Sequence, residues 1–407
     1  MEEHMSNNTN TNFSPIRRNL LLKGAGAAAA TTLLGACGGT TSRAGTEPVV
    51  AASSGRVAPQ PATVTIDSCG QAGATSSCVV RRFTINADPV DSAATPAARA
   101  LYTWLLSKFG KFVISGQTDQ DHFDYVKNLT GQYPLLRGFD MQHYSPMYSW
   151  LWDGNAINPG TGQPGYFVFG PDSAEPSIAN SIAWRRDHGD KPIIAYQWHW
   201  HSPSGGTVGT NTFYTEFTTF DASRAVRKGT QEYADTLRDI DAIAVQLAKL
   251  RDAGVPIIWR PLHEAGGTWF WWSAKGATVY KQLWNLMYDR LMNYHGLHNL
   301  LWCWCGDDAA WYPGSDKVDI IGIDSYPGNF VYINNKVEFD KAYVLSNGTK
   351  LIAMTENGPM PDIDTSLEGG APWSFFMSWV DVTTANDDAR IKAVYADPRV
   401  ITLERYT

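Results

Sequence analysis

The sequence predicts an α/β protein, a (β/α)8 barrel of the TIM type with a short N-terminal β extension. Three observations predict it. Eight continuous apolar runs recur along the chain, and continuous rather than alternating hydrophobicity suits parallel strands covered on both faces. Helical patterns lie between several of these runs. No glycine-rich phosphate fingerprint follows the first run, which argues against the structural alternative, an open doubly wound nucleotide-binding sheet.

Residues 1–36 stand apart from the fold. Arg17-Arg18 precedes Leu20-Leu21-Leu22, then the small apolar stretch from Gly24 to Leu34, then Leu34-Gly35-Ala36-Cys37. This resembles a twin-arginine export signal ending in a lipoprotein box, and the apolar stretch is too short to span a bilayer as a mature helix. Cys37 is then the lipidated first residue of the mature chain; the alternative is a simple cleaved signal with an incidental cysteine. Residues 37–62 are rich in Gly, Ser, Thr, Ala and Pro, the composition of a flexible tether. The expected location is a cell-surface or periplasmic lipoprotein, otherwise a secreted protein, with the lipid on Cys37 as its one membrane contact.

Residues 63–407 carry the barrel and its N-terminal extension. Val64-Thr65-Ile66 and Val79 to Phe83 read as short strands around a loop whose Cys69 and Cys78 suit a disulfide in an exported protein. The eight runs follow: 112–115, 134–139, 192–198, 256–260, 300–304, 318–323, 351–355 and 374–379. Leu237, Ile240, Ile243, Leu247 and Leu250 mark one face of a helix over 231–252, which Gly254 stops. Val279, Leu283, Leu286, Met287 and Leu291 do the same over 278–294. Cys303 and Cys305 point to one face of a single strand, poorly placed to bond each other, and read as buried thiols.

Composition narrows the partners. The chain has 407 residues, 43% hydrophobic and 18% charged, which is globular. Its net charge is −7, and removing residues 1–36 takes away three basic and two acidic residues, giving −8. With no basic stripe, nucleic acid is excluded as a partner. No cofactor is implied, no internal repeat is present, and a monomer is expected.

The candidate chemistry rests on two glutamates. Glu264 ends the run from Val255, at the end of the fourth strand, and precedes Ala265-Gly266-Gly267-Thr268-Trp269-Phe270-Trp271-Trp272, so a carboxyl sits beside a glycine turn and four aromatics. Aromatic rings cover the apolar faces of a pyranose. Glu356 closes the seventh run. Strands four and seven face each other across a barrel mouth, where catalytic groups gather at C-terminal strand ends. Two carboxyls about 5–5.5 Å apart perform a retaining double displacement at a glycosidic bond.

Arg260-Pro261-Leu262-His263-Glu264, the following Gly267 to Trp272, Trp311 to Tyr326, and Thr355-Glu356-Asn357-Gly358 together resemble glycoside hydrolase family 26. The resemblance implies a TIM barrel and a retaining enzyme acting on a β-mannan-type polysaccharide, in most members an endo-β-1,4-mannanase; some members cleave β-1,3-xylan or mixed-linkage β-glucan. It implies that Glu264 is the acid/base and Glu356 the nucleophile. By the same carry-over His263 adjoins the acid/base, Trp269 lines the cleft, Tyr326 holds the nucleophile, and His199 contacts sugar. Trp379 is the candidate platform under the sugar at the cleavage point, with Trp373 competing. The chain departs from the family where a tryptophan often follows the third-strand histidine: here Phe213 and Tyr214 stand, and that sugar subsite is expected to differ.

Other readings compete. His199 and His201 form an HxH pair, but Trp198 and Trp200 around them argue against a metal, and no metal site is expected. Trp104, Trp184, Trp284, Trp259 and Trp302 read as core, and Asp140, Asp319 and Asp324 as hydrogen-bonding supports or substrate contacts. A glycan-binding lipoprotein without catalysis is the alternative of another class, and the presence of both glutamates speaks against it.

Overall fold

Two antiparallel strands, β1 (Thr63–Ser68) and β2 (Arg81–Asn86), come first among the described residues, with Ile66 paired to Phe83. The structure, a computed structural model, describes residues 62–68, 79–118, 120–147, 149–150, 167–168, 177–207, 210–379 and 382–407. The expected export signal, Cys37, all but the last residue of the tether, and Cys69 and Cys78 lie outside them. The hairpin is not free-standing: buried Phe83 packs edge-on against Phe109 and Tyr343, at centroid distances of 4.8 and 5.1 Å. Such aromatic pairs add about 0.5–1.5 kcal/mol each beyond area burial.

The barrel differs at its start from the expectation. The apolar run at 112–115 forms β3 (Val113–Ile114), which pairs in parallel with β14 (Val400–Ile401) outside the barrel. The first barrel strand is the next pair of residues, β4 (Gly116–Gln117). Glycine is required there, since a Cβ on Gly116 would lie 2.5 Å from the Phe376 carbonyl oxygen.

The remaining barrel strands are β5 (Leu136–Asp140), β8 (Ile193–Gln197), β9 (Ile257–Arg260), β10 (Leu300–Cys305), β11 (Ile320–Ser325), β12 (Leu351–Asn357) and β13 (Phe376–Ser378). A small antiparallel pair, β6 (Ser149–Trp150) and β7 (Phe167–Val168), intervenes between β5 and β8. All neighbours in the barrel are parallel, and Ser378 paired to Gln117 closes the ring. Their burial is continuous, as parallel strands under helices require.

The helices follow their sequence signals. Gln231–Asp252 begins at Thr230, whose side chain caps the Tyr233 N–H, and ends before Gly254, which takes φ +72°. Its face Ile240, Ile243, Leu247 and Leu250 is buried. The expected helix over 278–294 is Ala277–Asp289 continued by a π-helical turn, Arg290–Tyr294. Trp259, Trp284 and Trp302 are fully buried, whereas Trp104 and Trp184 pack at the core's margin. Truncating Trp302 to alanine would cost about 3–5 kcal/mol.

The register lines up the residues that matter. Asp140 pairs with Gln197, Gln197 with Arg260, and Asp324 with Glu356. Polar groups thus form a lateral row at the C-terminal ends of the strands.

Candidate active site

Pro261 follows β9 and cannot donate to a strand ladder, so the chain leaves the barrel there. Glu264 therefore lies four residues past the strand, on a turn rather than at its last residue. Leu262 and Glu264 take φ of +49° and +54°, a left-handed conformation that costs a non-glycine residue roughly 1–2 kcal/mol. Surrounding groups hold it. Tyr280 Oη donates to the Leu262 carbonyl at 2.9 Å, Trp272 Nε1 to the His263 carbonyl at 3.0 Å, and the Ala265 N–H to the Cys305 carbonyl at 2.9 Å.

The turn after Glu264 is closed by the Gly267 N–H donating to the Glu264 carbonyl at 3.0 Å. A Cβ on Gly267 would lie 2.3 Å from the Trp269 ring, so glycine lets the indole fold back. Trp269 Nε1 then donates to Glu264 Oε2 at 2.6 Å. Trp311 stands on the other side, its Nε1 3.3 Å from where a Gly266 Cβ would be.

Glu356 lies within β12 and is wholly buried. Tyr326, the first residue after β11, donates through Oη to Glu356 Oε1 at 2.5 Å. Arg260 donates through Nη2 to Glu356 Oε2 at 3.2 Å and also pairs with Asp324. One carboxyl oxygen from each of Glu264, Asp324 and Glu356 lies within 4.8 Å of the others. Burial pushes the Asp324 carboxyl up to about 7; Arg260 opposes this, while Glu356 and Glu264 add to it. One guanidinium thus shares its charge between two acids, and Thr355 Oγ1 donates to Asp324 at 3.0 Å.

The third-strand histidine reaches the same place. His199 lies two residues past β8, with Nε2 3.3 Å from His263 Nε2 and its ring 5.8 Å from Trp379. Trp379 follows β13, and its N–H donates to the Asn357 carbonyl at 2.9 Å. All seven expected residues therefore converge on one mouth. Trp373 does not: it is buried, and its Nε1 donates to the Asn334 carbonyl at 2.8 Å.

Several neighbours were not singled out by the sequence. Arg260 was read as part of an apolar run and of the family motif, and Gln197 as part of an apolar run, with no role for either, although a buried arginine in a strand needs partners and is itself a signal. Phe213 is buried against His199 and His201, at 4.9 and 5.2 Å. Tyr214 stacks on Phe270 at 5.5 Å. His201 is buried, and burial with the neighbouring His199 holds its pKa down to about 3, so it stays neutral.

A (β/α)8 barrel with two glutamates facing each other at its mouth, among indole and phenol rings, is the arrangement of a glycoside hydrolase. The comparisons agree. The sequence model described as Glycosyl hydrolase family 26 matches residues 171–405. The chain belongs to that family. It is 38% identical over 334 residues to a mannan endo-1,4-beta-mannosidase of Thermothelomyces thermophilus, covering 79% of this chain and 63% of that one. It is 31% identical over 332 residues to mannan endo-1,4-beta-mannosidase B of Piromyces sp, covering 79% and 54%. The chain thus spans less than two-thirds of the length of these curated relatives. Among solved structures, a GH26-CBM35 β-(1,4)-mannanase of Podospora anserina superposes with a TM-score of 0.70 at 33% identity, covering 79% of this chain and 69% of that one. A β-mannanase from a symbiotic protist of the termite Reticulitermes speratus, complexed with gluco-manno-oligosaccharide, gives 0.68 at 31%, covering 79% and 98%.

Proposed function

We propose that the protein is a retaining endo-β-1,4-mannanase acting on mannan, galactomannan or glucomannan. The observation that carries the reading is the closeness of the carboxyls, with an oxygen of Glu264 and one of Glu356 inside 4.8 Å. That spacing suits double displacement and is shorter than the roughly 6.5–9.5 Å of inverting pairs. Glu264 protonates the leaving glycosidic oxygen while Glu356 attacks the anomeric carbon, and the C–O bond breaks as the ester to Glu356 forms. Glu264 then takes a proton from water, which attacks the anomeric carbon and releases Glu356. Tyr326 and Arg260 orient the nucleophile through one oxygen each. Trp379 lies under the sugar at the cleavage point, and Trp269 orients the acid. The mannan-specific names of the relatives support the choice of polymer.

Proton NMR of early mannopentaose products tests the mechanism: a first-formed β anomer is expected, and a first-formed α anomer overturns it. Product sizing on mannan, galactomannan, glucomannan, β-1,3-xylan and lichenan tests the polymer. Internal cleavage of the mannans is expected, and activity confined to xylan or lichenan overturns the reading. The composition of residues 1–62 supports export and lipidation at Cys37. Labelled palmitate should enter the wild type and not Cys37→Ala; equal labelling would exclude that anchor.

A further inference from the structure

Asp140 ends β5, and four donors meet on its carboxylate. His199 Nδ1 lies 2.5 Å from Oδ2 and the His199 N–H 3.0 Å from Oδ1. Gln197 Nε2 donates to Oδ2 at 3.0 Å, and the Gln142 N–H to Oδ1 at 2.8 Å. The Gln197 amide has one orientation open to it. Its oxygen accepts from the Arg260 guanidinium and its nitrogen faces the Asp140 carboxylate, and a reversed amide would be wrong at both ends. Burial alone would raise the Asp140 pKa, but His199 and Gln197 bring it below the ordinary aspartate value. Asp140 is thus an acceptor, and an acceptor at 2.5 Å calls for a proton on His199 Nδ1.

The consequence continues one ring further. His199 Nε2 faces His263 Nε2 at 3.3 Å, and both rings are buried. Two facing imidazole nitrogens are satisfied only when one carries a proton and the other does not. We propose that Asp140 is a positioning residue that sets the tautomers of both imidazoles, His199 as the Nδ1–H form and His263 as the Nε2–H donor. His263 immediately precedes Glu264, and its carbonyl is held by Trp272. The order imposed at β5 therefore reaches the backbone of the acid/base. Phe213, Phe270 and Trp379 wall His199 without offering it a competing charge. Asp140, His201 and, through Gln197, Arg260 are charged or titratable groups near His199, and Glu264 follows His263 in the chain.

Asparagine at 140 fills the same space but can serve either His199 tautomer, so the imidazole pair loses its direction. The role in turnover rests on the glycosidase reading, whereas the tautomers do not. Long-range proton–nitrogen correlation on 15N-histidine-labelled wild type at pH 7, assigned with His199→Gln, reads the tautomers with no substrate present. A pyrrole-type Nδ1 and a pyridine-type Nε2 are expected for His199, with both shifting toward averaged values in Asp140→Asn. A bare Nδ1 in the wild type, or an unchanged pattern in the variant, overturns the proposal. The wild-type spectrum decides even where the variant does not fold. For a folded variant, kcat/KM on manno-oligosaccharides should fall on the order of tenfold or more. Unchanged kcat/KM alongside altered tautomers would remove Asp140 from any role in turnover.

Discussion

The Trp269 indole N–H donates to Glu264 Oε2 at 2.6 Å, so the ring next to this carboxyl orients it. An indole N–H only donates, so Oε2 is held as an acceptor. In the proposed mechanism the proton delivered to a leaving oxygen then belongs on Oε1. Trp269→Phe keeps a ring and deletes the donor. Hydrogen bonds to charged groups contribute about 1.5–3 kcal/mol, so kcat/KM on mannopentaose should fall by roughly tenfold to a hundredfold. A change within twofold would show that the bond does not matter to turnover.

Gly267→Ala tests the same bond from the backbone. Its new Cβ would lie 2.3 Å from the Trp269 ring and must displace it. Kinetics should resemble those of Trp269→Phe, and the double variant should be little worse than either single one. Independent, multiplying losses would mean that Gly267 serves some other purpose.

Tyr326→Phe removes the phenol bonded to Glu356 at 2.5 Å and leaves Arg260 in place. Loss of one charge-assisted bond to Glu356, the proposed nucleophile, predicts a kcat about tenfold to a hundredfold lower, with folding intact. Steady-state kinetics and a melting curve check it together. An unaltered kcat would take Tyr326 out of the mechanism.

Asp239 provides a stability test away from the chemistry. Burial pushes its pKa up to about 6, against the Trp200 indole and Arg238, which pull it down. A folded pKa above the ordinary 3.8 means that the native state binds the proton more readily. The contribution is complete below about pH 4 and is lost as pH rises through about 6. It amounts to at most about 3 kcal/mol. From pH 4 to 7 the urea midpoint should therefore fall less, or rise more, in Asp239→Asn than in the wild type. Parallel slopes would refute the assignment.

The sequence carried the barrel because burial on both faces leaves a continuous apolar record. The helix at 231–252 carried its own period and its Gly254 stop. Glu264 and Glu356 were visible because apolar runs lead into them. The first barrel strand was not, since Gly116 and Gln117 bear no hydrophobic signal. The apolar Val113–Ile114 beside them pairs with Val400–Ile401, a partner that no local pattern announces. The row Asp140, Gln197 and Arg260 exists only through register between three strands. Trp269 was read as a surface for sugar, because a ring's donor direction depends on the Gly267 turn.

The pairing of β14 with β3 has a practical side. It sits at the start of the first barrel strand, on the face away from the glutamates, and the Thr407 carbonyl accepts there from Trp104 Nε1 at 3.0 Å. The first described residue is on that side too: the Ala62 carbonyl accepts from the Ala87 N–H, and Val90 nearby donates to Asp319 at the foot of β11. A linkage to a bead at Thr407 would therefore leave the mouth turned toward the dissolved polymer.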